Sequence, residues 1–163
     1  MAMIHWLSNM IFKLEKFIVI ILGLVMLFSL AAGVVYRYVL KSPLVWSDEV
    51  AIFSLIWLTF IGGSMSVKLG RTAVVTIFVD KFTGKVKKFL LGLSVLIVLV
   101  FAVYLLYLSL QWLSSPNILV QRSNSMNMPM IYAYLSVPVS FLFIAIHAVD
   151  LLARHFRQET EGV

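Results

Sequence analysis

The sequence predicts an all-α integral membrane protein with four transmembrane helices, an N-terminal amphipathic interfacial helix and a basic cytoplasmic interfacial segment. The 163 residues are 62% hydrophobic and only 12% charged, a composition typical of membrane proteins and not of soluble domains. Four stretches contain no Asp, Glu, Lys or Arg and are each long enough to cross the hydrocarbon of a bilayer. Basic residues flank these stretches, as topology signals do. We expect the spans to form one membrane domain over residues 1–163.

The first 36 residues are predicted to form a surface helix followed by the first span. In residues 1–16 apolar side chains recur at intervals of three and four, which predicts an amphipathic helix lying on the membrane surface. Residues 17–36 are uncharged and are too long for the core of a typical signal peptide. The apolar positions of the surface helix are Met3, Ile4, Leu7, Met10, Ile11 and Leu14.

The second span is predicted over residues 50–67, between Glu49 and Lys68. Ser47 precedes it, and Asp48 and Glu49 fall in its first turn. A hydroxyl there caps free backbone N–H groups, and carboxylates interact favourably with the positive end of the helix dipole. These residues therefore mark the start of the helix.

Small residues recur every four positions toward the other end of the second span, at Gly62, Ser66 and Gly70. Small residues on one stripe let another helix backbone approach closely in lipid. We interpret the stripe as a surface for helix or subunit packing and not as a ligand pocket. Replacement of Gly62 by Leu is expected to loosen assembly with a partner.

The second half of the chain begins with a basic segment and contains two more spans. Apolar residues alternate with basic ones between residues 68 and 89, which predicts a second interfacial helix. The cluster of Lys81, Lys85, Lys87 and Lys88 is interpreted as a topology signal, with binding of anionic lipid headgroups as an added hypothesis. The remaining spans are predicted over residues 89–113 and 130–149. Pro138 is expected to bend the last span or restrict its first turns, and residues 150–163 form a tail.

The distribution of Lys and Arg predicts the orientation. Ten of these residues lie in the N-terminal segment, the middle loop and the tail, against two in the first loop and one in the third. Positive charge is enriched on the cytoplasmic side, so both termini are predicted to be cytoplasmic and Trp46 to Glu49 to face outward. Because the basic residues flank apolar spans, we do not expect nucleic acid as a partner. The chain has no cysteine, which excludes thiolate metal sites and thiol catalysis.

The predicted spans lack the features of an independent transporter or enzyme. A carrier that couples transport to an ion places an ionisable residue within the hydrocarbon, and we expect no such residue in the middle of these spans. No nucleophile, general base or metal cluster is evident, and no cofactor is expected. His147, three residues before Asp150, is expected to form a local hydrogen bond. These features favour a subunit of a larger assembly. The alternatives are a small homo-oligomeric membrane enzyme or sensor and a free-standing four-helix carrier.

The chain resembles the small membrane subunit, or Q subunit, of tripartite ATP-independent periplasmic (TRAP) transporters. The resemblance covers nearly the whole chain in the order of its four spans. The residues most specific to the resemblance are Arg37 to Val39, Trp46, Ser47, Glu49, Phe60, Gly62, Gly63, Gly70, Val79 and Asp80. Pro129, Tyr132 and Pro138 at the start of the last span give weaker support.

The resemblance implies a machine of three parts in the bacterial inner membrane and periplasm. A periplasmic binding protein captures an organic acid, and a large membrane subunit imports it with sodium ions. The small subunit would enlarge the fixed scaffold against which the transport part of the large subunit slides, and substrate and sodium ligands would belong to the larger partner. The proposed interface residues of this chain are Arg37, Trp46, Ser47, Asp48, Glu49, Gly62, Gly63, Ser66 and Gly70.

Three of these interface residues have competing interpretations. Glu49 and its neighbour Asp48 either cap the second span only, or one of the carboxylates also pairs with a basic group on the large subunit or the binding protein. Arg37 is interpreted as an interfacial residue whose charge reaches the headgroups. Its alternative is an ion pair with Asp48 or Glu49 across the first hairpin.

Overall fold

The computed structural model describes residues 2–70 and 85–160. Apart from an isolated bridge between Arg122 and Pro129, the described residues contain no β-structure. Four of their helical segments are long and apolar enough to cross a membrane, which confirms the predicted all-α fold with four membrane spans. The helices are α1 (Ala2–Tyr38), α2 (Val45–Lys68), α3 (Lys85–Leu113), α4 (Pro116–Leu119), α5 (Ile131–Tyr134) and α6 (Ser136–Thr160).

The four long helices form a bundle in which α6 is the central element. It packs against α2, α3 and α1, and α1 also packs against α2. Successive long helices run in opposite directions, so the bundle has two ends. The terminal end contains the first turns of α1 and α3 and the last turns of α2 and α6. The loop end contains the link over residues 39–44 and the connection over residues 114–135.

Helix α1 is one continuous helix of 37 residues. At 1.5 Å per residue it is about 55 Å long, well beyond the roughly 30 Å of bilayer hydrocarbon. The sequence predicted a separate surface helix over residues 1–16. This prediction is wrong about the helix boundary, because α1 continues through residues 16 and 17 without a break. The physical reason is that nothing between residues 16 and 17 interrupts the backbone hydrogen bonds, since both segments are rich in residues that favour helix.

Helix α2 begins and ends at different residues from those expected. It starts at Val45 with Leu44 as its N-cap, and no side chain caps it. Ser47 therefore lies inside the first turn, where its hydroxyl donates to the Leu44 carbonyl at 2.9 Å, and its predicted capping role is wrong. Gly70 follows the C-cap residue and has a φ of +63°, a conformation that glycine adopts without steric cost. It terminates the helix.

The last span is interrupted near its start, between α5 and α6. Pro138 has no N–H, so the Tyr134 carbonyl lacks the donor that would continue a regular helix. The chain makes a turn at Leu135 and continues as α6 from Ser136. This agrees with the expected effect of Pro138. Helix α6 continues to Thr160, through most of the segment predicted as a tail.

The surface of the bundle is apolar and its interior is rich in small and polar residues. Most large hydrophobic side chains of α1 and α3 are exposed, as expected for helices that face lipid or another membrane protein. The buried residues of α2 are Ser47, Ala51, Ser54, Ile61 and Ser64. Four of these five are small, so close helix approach and not a large apolar core holds α2 in place.

Candidate functional site

A cluster of charged and polar side chains ties three helices together at the terminal end. Asp150 of α6 is at its centre and is almost completely buried. Its carboxylate accepts a hydrogen bond from the Lys68 ammonium of α2 at 2.8 Å and another from Arg154, one turn further along α6. The Nδ1 atom of His5 on α1 lies 3.2 Å from the same carboxylate. Asp150 therefore joins α1, α2 and α6.

A chain of hydrogen bonds leads from this ion pair deeper into the bundle. Lys68 also donates to the Ser8 hydroxyl at 2.5 Å, and Ser8 Oγ lies 2.8 Å from Nδ1 of His147. The Nε2 atom of the same imidazole lies 3.2 Å from an oxygen of Glu15. Ser8, His147 and Glu15 are all completely buried. The second oxygen of Glu15 has no hydrogen-bond partner among the described residues.

Local helix geometry explains why these side chains meet. On α1, Ser8 and Glu15 are seven residues apart, and on α6, His147 and Asp150 are three apart. Both spacings place side chains on one face of a helix. The two faces oppose each other in the bundle. Contrary to expectation, His147 bonds to Ser8 and Glu15 and not to Asp150.

The cluster is suited to holding helices together. Each of its charged groups has a partner within the bundle, and no group of His, Asp and Glu in residues 2–70 and 85–160 is arranged to hold a metal ion. Removing one partner of a buried ion pair destabilises a protein strongly, because the other charge stays buried without compensation. Such pairs therefore act as specific ties between helices.

A second polar cluster holds the loop over residues 121–130 at the loop end. The Glu49 carboxylate accepts hydrogen bonds from the Ser123 hydroxyl at 2.8 Å and from the backbone N–H groups of Ser125 at 2.6 Å and Met126 at 2.8 Å. Ser123 in turn accepts from the Met128 N–H at 3.1 Å. The carboxylate is thus the fixed point around which this loop is folded.

A cavity of about 230 Å³ lies between this loop and α2. Glu49 and Ser123 form part of its wall, and apolar residues of α2 form another part. The polar groups of the wall are largely engaged in holding the loop. The lining residues are Glu49, Ile52, Phe53, Ile56, Gln121, Arg122, Ser123, Asn124, Met130 and Tyr134.

Arg37 and Asp48 form an ion pair across the first hairpin. The guanidinium nitrogen lies 3.3 Å from the carboxylate, and both side chains are more than half exposed. The structure therefore supports the alternative interpretation of Arg37 as a partner of an acidic residue. An exposed pair of this kind contributes little to stability, about 0–1 kcal/mol.

The chain matches a known family over most of its length. The family described as Tripartite ATP-independent periplasmic transporters, DctQ component, matches residues 26–158. This chain belongs to the DctQ family. The match confirms the resemblance to the small membrane subunit of TRAP transporters. No curated protein matches the chain.

Membership in the DctQ family decides the class of function. A DctQ component is a membrane subunit of a transporter and not an enzyme, and the tripartite system to which it belongs implies a large membrane subunit and a binding protein as its partners. Four apolar helices of spanning length agree with a multi-pass membrane protein.

The structure of this DctQ component separates the predicted interface residues into two groups. Ser47 is buried against α1, and Glu49 is engaged by the loop. Gly62 and Gly63, in contrast, make no close contact with the described part of the chain, because a Cβ atom added at either would have no neighbour within 4 Å there. Interface residues that remain partly or largely exposed are Arg37, Trp46, Asp48, Gly62, Gly63, Ser66 and Gly70.

The predicted headgroup contacts are only partly within the described chain. Lys81 lies outside the described residues, as does most of the predicted basic interfacial helix. Lys85, Lys87 and Lys88 occupy the first turn of α3, at the terminal end. Lipid contact by these lysines stays a prediction.

Sequence reasoning missed the role of the buried cluster in this DctQ component. Glu15 and Ser8 were assigned to a surface helix, and Lys68 was interpreted as a flanking charge. A signal was present in the spacing, because Ser8, Ile11 and Glu15 share one helix face, as do His147, Asp150 and Arg154. Two polar faces on apolar helices predict a shared interface, since polar groups in a membrane must satisfy one another.

Proposed function

We propose that this DctQ component is the non-catalytic scaffold subunit of a sodium-coupled secondary transporter that imports organic acids. In this proposal it braces the large membrane subunit while the transport part of that subunit makes elevator-type movements. The observation that carries the proposal is that its buried ionisable side chains are engaged with one another: Lys68, Asp150 and Glu15 bond across helices.

The ties between helices support a bracing role in physical terms. The Lys68–Asp150 pair and the Ser8–His147–Glu15 chain join α1, α2 and α6 at the terminal end, and Glu49 fixes the connection at the loop end. A bundle tied at both ends resists relative sliding of its helices. Resistance of this kind is what a fixed support needs.

The remaining assignments follow from the same proposal. Substrate and sodium ions bind to the large subunit, and this chain needs no cofactor. The chain lies in the bacterial inner membrane with its terminal end at the cytoplasm, where Lys81, Lys85, Lys87 and Lys88 contact phospholipid headgroups. The loop end then faces the periplasm and the binding protein.

Reconstitution into liposomes tests the scaffold role. The purified chain alone, the large subunit alone and the two together would each be given the binding protein, an organic acid and an inward sodium gradient. We expect accumulation only when both membrane subunits are present. Sodium-driven uptake by this chain alone would show a free-standing carrier, and full uptake by the large subunit alone would show that no scaffold is needed.

The exposed glycines of α2 allow a sharper test of the assembly. Gly62→Leu adds a side chain where the described residues leave open space, so the fold of these residues should be unaffected. We expect less large subunit to co-purify with the tagged variant. Gly23→Leu is a matched control, because a Cβ at Gly23 of α1 also meets nothing within 4 Å. Equal recovery with both variants would remove Gly62 from the interface.

A further inference from the structure

Two polar atoms inside the bundle have no hydrogen-bond partner among the described residues, and they belong to different helices. One is Oε1 of Glu15 on α1, and the other is the hydroxyl oxygen of Ser64 on α2. Both side chains are completely buried. A buried polar group without a partner is costly, so native proteins leave few of them. The pair therefore calls for a shared explanation if the two atoms lie close together.

The Ser64 hydroxyl differs from the other hydroxyls in the middle of α2. Ser54 and Thr59 donate to the carbonyls four residues earlier in the same helix, those of Val50 and Leu55, each at 2.8 Å. A hydroxyl in an apolar helix can satisfy itself in this way. The Ser64 hydroxyl makes no such bond. It is therefore available to a partner outside α2.

The register of α1 against α2 places Ser64 and Glu15 at one depth. Gly33 of α1 lies against Ser47 of α2, and the two helices are antiparallel. Glu15 is 18 residues before Gly33, and Ser64 is 17 residues after Ser47. At a rise of 1.5 Å per residue, both lie about 26 Å from this contact, to within about 2 Å.

The register of α2 against α6 gives the same depth independently. Lys68 of α2 bonds to Asp150 of α6, and both helices run from the loop end to the terminal end. Ser64 precedes Lys68 by four residues and His147 precedes Asp150 by three, so both lie one turn deeper on the faces that carry the ion pair. His147 in turn bonds to Glu15. The Ser64 hydroxyl and Glu15 Oε1 therefore face the same space between α1, α2 and α6.

The chemistry of the two atoms selects the ligand for this space. A carboxylate oxygen accepts hydrogen bonds, and a hydroxyl both donates and accepts. A buried water molecule typically makes about three hydrogen bonds to groups that are otherwise unsatisfied, so it suits both atoms at once. A hard divalent cation takes about six oxygen ligands, and the described residues offer two unpaired ones at this depth.

We propose that one water molecule binds between Glu15 and Ser64 and completes the tie between α1, α2 and α6. The water donates to Glu15 Oε1 and bonds to the Ser64 hydroxyl, while His147 occupies the other carboxyl oxygen. Lys68 joins α2 to the polar cluster at the terminal end, and the water joins it about one turn deeper. The site concerns the bundle alone and does not depend on the transport role.

A crystal structure of the full chain in a lipidic phase tests the site directly. At about 2 Å resolution or better, where buried waters are ordered, we expect a single oxygen peak within about 3.2 Å of both Glu15 Oε1 and the Ser64 hydroxyl. Crystals grown with rubidium chloride would reveal a cation by its anomalous scattering. A cation at this position, a direct bond between the two side chains, or the absence of the peak would each overturn the proposal.

Matched serine substitutions provide a second measurement, in the full chain in detergent. Ser140 on α6 is also completely buried with an unpaired hydroxyl, but it lies seven residues before His147, about 10 Å nearer the loop end. Removing a hydroxyl that binds the bridging water should raise the equilibrium constant of unfolding about fivefold, whereas removing an unsatisfied one should leave it within about twofold or lower it. We therefore expect the rise with Ser64→Ala and not with Ser140→Ala.

A double variant shows whether the effect of Ser64→Ala passes through Glu15. In a Glu15→Leu background the carboxyl oxygen is gone, so Ser64→Ala should change the equilibrium constant by less than about twofold, because residues that share a partner are not additive. An undiminished effect in that background would overturn the proposal. So would equal effects of Ser64→Ala and Ser140→Ala in the unsubstituted chain.

Discussion

Gly33 of α1 packs tightly against Ser47 of α2 in the first hairpin. A Cβ atom added to Gly33 would lie 2.7 Å from the Ser47 hydroxyl oxygen and 3.2 Å from its Cβ. The hydroxyl is held in place by its bond to the Leu44 carbonyl. The first hairpin therefore depends on a glycine at one position and a small residue at the other.

Gly33→Ala should destabilise the bundle by about 1–3 kcal/mol, because the methyl group forces the two helices apart. The measurement is the free energy of unfolding in detergent. Gly23→Ala is the control, since it meets open space and should be neutral or stabilising by up to about 1 kcal/mol. Adding Ser47→Ala to Gly33→Ala should recover part of the loss. A loss of equal size in both single variants would contradict the close approach.

Glu49→Gln should loosen the loop over residues 121–130. The amide presents one acceptor oxygen where the carboxylate presents two, and it lacks the charge that strengthens bonds from backbone N–H groups. We expect faster hydrogen exchange at Ser125 and Met126. Asp48→Asn serves as control, because Asp48 contacts Arg37 and not the loop. If exchange at this loop is the same in both variants, Glu49 does not hold it.

Asp150→Asn should be more damaging than Lys68→Met. The first change leaves a buried ammonium without its counter-charge and should cost about 3 kcal/mol. The second leaves Asp150 with Arg154 and His5. Arg154→Gln should cost less than about 1 kcal/mol, because that side chain is 45% exposed. The measurement is the free energy of unfolding of each of the three variants. If Arg154→Gln were the most destabilising, this description of the Lys68–Asp150 ion pair would be refuted.

His147→Leu should cost about 2 kcal/mol, because it leaves the Ser8 hydroxyl and the Glu15 carboxyl without their shared partner. Glu15→Gln should change stability by less than about 1 kcal/mol, since the amide retains an oxygen for the imidazole. In the double variant the two effects should not add, because the residues touch. Additive effects would indicate that the two side chains act independently.

Much of the fold could be predicted because membranes restrict it strongly. Four uncharged stretches must be helices, since lipid offers no partner for free backbone groups. Pro138 disrupts the last span for a reason local to its own backbone. Local signals were weaker for helix ends: Ser47 had the right residue type for a cap but lies three residues inside the helix, and residues 2–16 continue into the span without a break.

The candidate site could be predicted only in fragments. Arg37 and Asp48 were considered as a pair because the short hairpin brings them together. The pairing of Glu49 with a loop more than 70 residues away had no local signal. The same holds for His147, whose partners Ser8 and Glu15 lie on a helix at the other end of the chain.

The sequence by itself determined the number of spans, their approximate positions and the membership of the DctQ family, because these depend on length, hydrophobicity and local residue order. Only the tertiary structure decided which polar groups bind one another and which face of each helix is buried. Both depend on how each helix is rotated about its axis. That rotation is set by contacts such as Gly33 with Ser47 and Lys68 with Asp150. The partners in these contacts are far apart along the chain or face each other only once the helices have packed.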